Sequence, residues 1–134
     1  MPTPQKAQVV ESLIKCIADS TIAVSTDYSG MSVSETNQLR KMLRAKDVEY
    51  VIVKNTLAYI AADSADRSKL KEIISGPTGL IFGYGEVVDP VKILATFIKE
   101  TESDITIRGA LMGERSLDIK EIEQLSRLPS KTEL

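Results

Sequence analysis

The sequence has no histidine, no tryptophan and a single cysteine, and aromatic residues make up only 4% of its 134 residues. Without histidine, the chain lacks the side chain that most often acts as a general acid or base near neutral pH. It also cannot form a Cys–His catalytic pair or a usual zinc site, and the lone Cys16 cannot form an internal disulfide. We therefore expect Cys16 to pack in the core, and we expect neither a metal nor another cofactor.

The sequence also lacks a long apolar run. Its apolar stretches fall well short of a membrane span, and the N-terminus leads into an amphipathic helix instead of the apolar core of a signal peptide. A hydrophobic content of 43% with 27% charged residues is typical of a globular protein. At this length we predict one domain over residues 1–134, located in the cytoplasm and without a membrane partner.

A strongly basic composition, the usual sign of a nucleic-acid-binding domain, is absent too, because the net charge is -2. The charge is nevertheless uneven. Residues 1–71 carry 10 basic and 8 acidic side chains, whereas residues 72–134 carry 7 and 11. The densest group of cations is Arg40, Lys41, Arg44, Lys46 and Lys54, opposed in the same stretch only by Asp47 and Glu49. A polyanion should therefore prefer the first half of the chain.

Residues 48–62 combine an apolar strand, a polar corner and the start of an apolar helix. The strand is rich in β-branched residues, and we expect its central residues to be covered on both faces. The corner is Lys54-Asn55-Thr56, in which Asn55 is a suitable N-cap for the helix that follows. Free amides of a first helical turn attract anions, and a lysine adds a mobile charge. The corner therefore predicts a phosphate-binding site, although a capped helix beside a solvated lysine explains the same residues.

Hydrophobic periodicity divides the rest of the chain into alternating elements. Strands are predicted over 21–28, 48–54, 78–85 and 105–112, and helices begin at Thr3-Pro4, Ser32, Asn55, near Leu70, at Asp89-Pro90 and at Asp118. This order resembles β-α-β-β-α-β with an extra N-terminal helix and one inserted helical segment. We predict an α+β, ferredoxin-like sandwich with a central four-stranded sheet. A small doubly wound sheet is the alternative.

Known catalytic and binding motifs are missing. The glycines do not have dinucleotide-binding or P-loop spacing, and the carboxylates form no focused cluster. Asn55 and Arg108 could suggest an acylphosphatase, but the phosphate loop of that class is missing. Tyr50 and Phe82 do not reproduce the aromatic pattern of the RNA-recognition sheet module. Two classes remain open: a polyanion-binding protein, and a small ferredoxin-like regulatory or phosphate-processing domain.

Five stretches in the same order resemble the large-subunit ribosomal stalk-base protein family, numbered ten in bacteria. They are Asp27-Tyr28-Ser29-Gly30-Met31-Ser32-Val33, Leu39-Arg40-Lys41-Met42-Leu43-Arg44, Tyr50-Val51-Ile52-Val53-Lys54-Asn55-Thr56-Leu57-Ala58, Ser75-Gly76-Pro77-Thr78 and Leu128-Pro129-Ser130. The similarity covers nearly the whole chain. It implies a protein that is not an enzyme, binds large-subunit ribosomal RNA at the stalk base and lies beside a second stalk-base protein.

The residues that we predict to contact RNA are those of the polar corner and of the basic helix face. The predicted set is Lys54, Asn55, Thr56, Arg40, Lys41 and Arg44, with Lys6 as a weaker member, and they are expected to contact phosphates more than base edges. The family often has arginine where this chain has Ser29, which removes one phosphate contact. Tyr28 and Tyr50 are expected to be structural.

Members of the family use a further C-terminal helix to carry dimers of the acidic stalk protein, which recruit translation factors. They can also repress their own operon. Leu134 falls where the segment that connects to this helix would begin, so we expect these residues not to bind the acidic stalk dimers.

Overall fold

Helices and strands alternate along the part of the chain that the structure describes. The computed structural model describes residues 4–52, 54–74, 76, 78–85, 87–101, 105–112 and 115–127, with side chains described between residues 7 and 124. The elements are α1 (Pro4–Asp19), β1 (Ile22–Asp27), α2 (Val33–Arg44), β2 (Val48–Ile52), α3 (Asn55–Ser64), a 3₁₀ helix (Ser68–Ile73), β3 (Gly79–Gly83), α4 (Val88–Thr101), β4 (Thr106–Met112), β5 (Arg115–Leu117) and α5 (Ile119–Arg127).

The strands form one antiparallel sheet in the order β2-β3-β1-β4-β5. The first four strands of this order, β2-β3-β1-β4, have the strand order of a ferredoxin-like sheet built from β-α-β-β-α-β. This confirms the predicted fold class. The sheet has five strands instead of the predicted four, because Arg115–Leu117 pairs with the end of β4. That strand has only three residues, too few to give a recognisable alternation in the sequence.

Helices cover both faces of the sheet. On one face, α2, α4 and α5 enclose a core that includes Val24, Leu39, Ile81 and Phe97. On the other face, α1, α3 and the 3₁₀ helix pack on a second core around Phe82. The two helices of the ferredoxin-like unit would cover only one face. The N-terminal helix and the inserted segment therefore bury the apolar residues of the second face.

Strand β2 lies at the edge of the sheet, which corrects the expectation that its central residues are covered on both faces. Val48 and Tyr50 are buried, whereas Glu49 is exposed and Ile52 is 38% exposed. A run of β-branched residues indicates a strand but does not reveal which neighbours the topology supplies. Cys16 faces Glu49 across this edge, with Sγ 3.9 Å from Oε2, so it packs at the margin of the second core.

The predicted helix starts are confirmed at two of the exposed caps. The Ser32 hydroxyl accepts from the Glu35 N–H at 3.1 Å, and the Asp118 carboxylate accepts from the Glu121 N–H at 2.8 Å. Two starts or types differ. Helix α4 begins at Val88, just before the predicted start at Asp89-Pro90, and the segment near Leu70 is a 3₁₀ helix over Ser68–Ile73.

Candidate nucleic-acid interface

Three connecting segments meet at one end of the sheet. Strands β1 and β2 end there, and β3 begins there, because the antiparallel register sets Thr26 and Ile52 on either side of Gly79. Between these segments lies a cavity of about 530 Å³. We call it the corner pocket; it is lined by Tyr28, Ile52, Lys54, Asn55, Thr56, Gly76 and Thr78. The Lys54-Asn55-Thr56 corner predicted from the sequence therefore forms part of a concave site.

Lys54 is the N-cap residue of α3 and projects an exposed side chain at this pocket. Its backbone is extended, with φ -71° and ψ 136°, and its carbonyl accepts from the N–H groups of Leu57 and Ala58, each at 3.1 Å. Among the described residues, no carboxylate oxygen lies within 4.0 Å of its ammonium group. The amides of Asn55 and Thr56, at the first two positions of α3, have no intrahelical acceptor. A free cation and the positive end of a helix therefore share one cavity.

Asn55 does not cap the helix as predicted. It is the first residue of α3, and its side-chain Nδ2 donates to the carbonyl of Gly76 at 2.8 Å. The helical backbone begins one residue earlier than the sequence suggested, so the cap position falls on Lys54. Asn55 instead holds the segment before β3 against the corner.

Arg108 on β4 does not line the pocket but bonds to a residue that does. Its Nη1 donates to the Thr78 hydroxyl and its Nη2 to Asp27 Oδ2, both at 2.9 Å. The other carboxylate oxygen of Asp27 accepts from the Ser29 N–H at 2.9 Å. This hydrogen bond, together with the Arg108 guanidinium, lowers the pKa of Asp27 below its ordinary value of 3.8. No sequence pattern indicates this role, because Arg108 lies 81 residues from Asp27.

Gly76 is a position where only glycine fits well. Its φ of +64° is left-handed, and a Cβ there would lie 3.3 Å from Nη2 of Arg108. The Gly76 carbonyl accepts from Asn55 and also from the Thr78 hydroxyl, at 3.0 Å. These contacts fix the backbone that forms one wall of the corner pocket.

Two arginines of α2 lie beside the same edge strand. Arg40 and Arg44 line a groove of about 350 Å³ with Val48, Glu49 and Tyr50, and the Arg40 guanidinium lies 5.7 Å from the centre of the Tyr50 ring. Arg44 lies near the start of β2, and Lys54 follows the end of this strand. An extended chain rises about 20 Å between Val48 and Lys54, at ~3.3 Å per residue. We call Arg44, Arg40 and Lys54 the basic edge.

The remaining predicted residues are placed differently. Lys41 is exposed on a neighbouring face of α2 and lines a shallow cavity with Asn37 and Gln38, so it does not join Arg40 and Arg44. The backbone of Lys6 lies in the first turn of α1, but its side chain is outside the described residues. Tyr50 is buried and burial raises its pKa, in keeping with a structural role. Tyr28, also expected to be structural, lines the corner pocket.

The described part of the chain has neither a metal-binding cluster nor a membrane-spanning helix. Within the described ranges, no three His, Cys, Asp or Glu side chains are grouped so that they could hold a metal ion. No helix in the same ranges is long and apolar enough to cross a bilayer. Fold and site together define an α+β protein of ferredoxin-like strand order that presents a cationic, anion-attracting surface at one edge of its sheet.

Comparison with known proteins assigns the family. A family model described as ribosomal protein L10 matches residues 1–99. The large ribosomal subunit protein uL10 of Natranaerobius thermophilus is 37% identical over 130 residues, which are 97% of this chain and 73% of that relative. The protein of the same name from Anaeromyxobacter sp. is 39% identical over 134 residues, which are 100% of this chain and 76% of the relative. The chain belongs to the ribosomal protein L10 family.

Membership confirms the family inferred from the five sequence stretches. The chain is a ribosomal protein of the large subunit, it is found in the cytoplasm as part of the ribosome, and it is not an enzyme.

Proposed function

We propose that residues 1–134 form one domain that binds large-subunit ribosomal RNA at the base of the ribosomal stalk, with the basic edge and the corner pocket as its contact surface. The observation that carries the proposal is the exposed Lys54 side chain, which lines the same cavity as the first two residues of α3 and has no carboxylate partner among the described residues. Phosphate oxygens are the ligands that such a combination favours.

The net charge of -2 does not oppose this function, because phosphates respond to local charge. At 0.15 M salt the Debye length is about 8 Å, so acidic groups on the far side of the molecule are screened. Arg40, Arg44 and Lys54 are spread along one strand, which suits a backbone with regularly spaced charges. Only Glu49 lies among them in the groove beside β2.

The other predicted residues contribute to RNA binding less directly in this proposal. Thr56 is exposed in the first turn of α3 and offers its hydroxyl and amide, while Asn55 contributes its amide and holds Gly76. Lys41 extends the cationic surface onto the outer face of α2. The backbone of Lys6 lies in the first turn of α1. Val9, about one turn later, lines a groove with Ile52 at the end of β2. The first turn of α1 therefore lies on the side of this groove that leads to the corner.

The partners follow from the family resemblance. The neighbouring stalk-base protein binds the same RNA and completes the platform that anchors the stalk. In the family, dimers of the acidic stalk protein are bound by a C-terminal helix, and the part that we assign to residues 1–134 is the anchoring of the stalk to RNA.

Charge reversal at the basic edge tests the proposal. Filter binding with a stalk-base fragment of ribosomal RNA, with and without the neighbouring protein, should show that Lys54→Glu and Arg44→Glu each weaken binding about tenfold. The melting temperature should change little, since both side chains are exposed.

Lys120→Glu is the matched control. Lys120 is exposed on α5, which packs against β4 and β5 at the opposite side of the sheet. Its reversal changes the net charge equally and should leave affinity unchanged. Equal affinities for all three variants and the unmodified protein would show that RNA is bound elsewhere or not at all.

A further inference from the structure

The residues that line the corner pocket fall into two chemically different sets, which we call its two halves. Tyr28 and Ile52 provide an aromatic ring and an aliphatic side chain. Lys54 and the first turn of α3, with Thr56, provide a cation, amides and a hydroxyl. A surface that only tracked a phosphate backbone would need the second half alone. The first half is suited to a flat, apolar group next to the phosphate.

Side-chain hydrogen bonds join the segments that line the pocket. Asn55 donates to the carbonyl of Gly76, and Arg108 joins Asp27 to Thr78. Tyr28 follows Asp27 directly, so the same guanidinium positions the strand end that carries the tyrosine. A pocket whose walls are already bonded to each other loses little conformational freedom when it binds.

We propose that the corner pocket takes one unstacked nucleotide of a single-stranded RNA segment, with its base against Tyr28 and Ile52 and its phosphate at Lys54 and the α3 amides. This inference rests on the proposed RNA binding and names the form of RNA that the pocket selects. Bases in a duplex are stacked on both faces, so they cannot reach an aromatic side chain in a recess, whereas bases in loops and bulges can.

The size of the cavity agrees with a single nucleotide. A volume of about 530 Å³ is within the ~300–1,000 Å³ that is common for small-ligand sites. A duplex is far too wide to enter and could touch only the exposed rim at Lys54 and the basic edge. The pocket and the basic edge therefore bind different parts of one RNA: an unpaired nucleotide and the neighbouring backbone.

The test compares a ten-nucleotide single-stranded RNA with a blunt duplex of the same sequence, measured by fluorescence anisotropy. Tyr28→Leu should weaken binding of the single strand about tenfold, since one base–aromatic stack contributes roughly that factor or more. Binding of the duplex should not change. Tyr28→Phe retains the ring and should retain affinity for the single strand. Ile52→Ser should also weaken only single-strand binding.

Tyr84→Leu is the control, because Tyr84 follows β3 at the opposite end of the sheet. It should leave both affinities unchanged. If Tyr28→Leu and Ile52→Ser keep full affinity for the single strand while Lys54→Glu weakens both RNAs, the nucleotide pocket is refuted and the proposed function stands. If Lys54→Glu is also without effect on both RNAs, the proposed function fails as well.

Discussion

Single residues far apart in sequence determine the shape of the binding site. Arg108 is the clearest case, because its guanidinium joins the end of β1 to Thr78 and lies beneath Gly76. Its side chain is only 22% exposed, so water replaces these bonds poorly when they are lost. The position of the loop before β3 therefore depends on a residue that does not line the pocket.

Replacing this guanidinium should loosen the pocket. We expect Arg108→Met to lower the melting temperature by about 5 °C and to weaken binding of the stalk-base RNA at a temperature where the variant is still folded. Thermal melts followed by circular dichroism and filter binding at 10 °C measure the two effects. Arg115→Met is the control, because Arg115 also pairs with a carboxylate at 2.9 Å but is 74% exposed. Equal effects of the two variants would contradict the special role of Arg108.

Asp27 should make stability depend on pH in the acid range. Its folded pKa is below 3.8, the ordinary value, so the unfolded chain binds the proton more readily. The stabilisation is fully present above pH 3.8 and is lost as the pH falls through the lowered pKa. Urea denaturation between pH 7 and pH 2 should show a steeper acid loss for the unmodified protein than for Asp27→Asn. Parallel curves would show that the carboxylate is not stabilised in the folded state.

At this scale the sequence indicates where the polar corner lies better than which contacts its residues make. The change from an apolar strand to Lys54-Asn55-Thr56 is a local pattern, and it located the corner correctly. The bonds of Asn55 to Gly76 and of Arg108 to Asp27 join residues that are 21 and 81 positions apart. No local pattern specifies such pairs, so these two hydrogen bonds could not be predicted. For the same reason the sequence assigned the N-cap of α3 to Asn55 instead of Lys54.

At the scale of elements, helix α2 carries two of the three cations of the basic edge. It begins at a serine cap and is fixed to the sheet by buried Leu39 and Leu43. The Arg40 guanidinium lies over the ring of Tyr50 on β2. This cation–π contact holds the charge of Arg40 beside the edge strand. The orientation of α2 is thus set by its apolar stripe.

Removing the cap should destabilise the fold without changing the binding surface. Ser32→Ala should lower the free energy of unfolding by about 1 kcal/mol, since the hydroxyl accepts from the Glu35 N–H. Ser34→Ala, an exposed serine one residue into the same helix, is the control and should cost almost nothing. Urea denaturation provides both values. An equal loss for the two variants would mean that the hydroxyl of Ser32 does not cap the helix.

The type of an element could be predicted where the hydrophobic periodicity extends over many residues, as in α2 and α4. Strand β2 was recognised, but its position at the sheet edge was not, because strand order arises from pairing between distant segments. The short β5 left no periodic signal. The 3₁₀ helix was predicted as an ordinary helix, since apolar spacing over six residues does not separate the two types.

For the whole molecule, the order of the strands places the basic edge at one margin of the sheet. Strand β2 is the edge strand beside helix α2, while β5 forms the opposite edge and α5 packs beside it. A protein with a net charge of -2 can therefore still carry a local group of exposed cations at one edge of its sheet.

The salt dependence of RNA binding tests this central claim most directly. The dissociation constant for the stalk-base RNA fragment is measured from 50 to 300 mM KCl for the unmodified protein, for Arg40→Gln/Arg44→Gln/Lys54→Gln, and for Lys120→Gln as control. Each lost phosphate contact should reduce the logarithmic slope by about 0.7–0.9, so the triple variant should lose about 2–3. A slope equal to that of the unmodified protein would contradict binding through the basic edge.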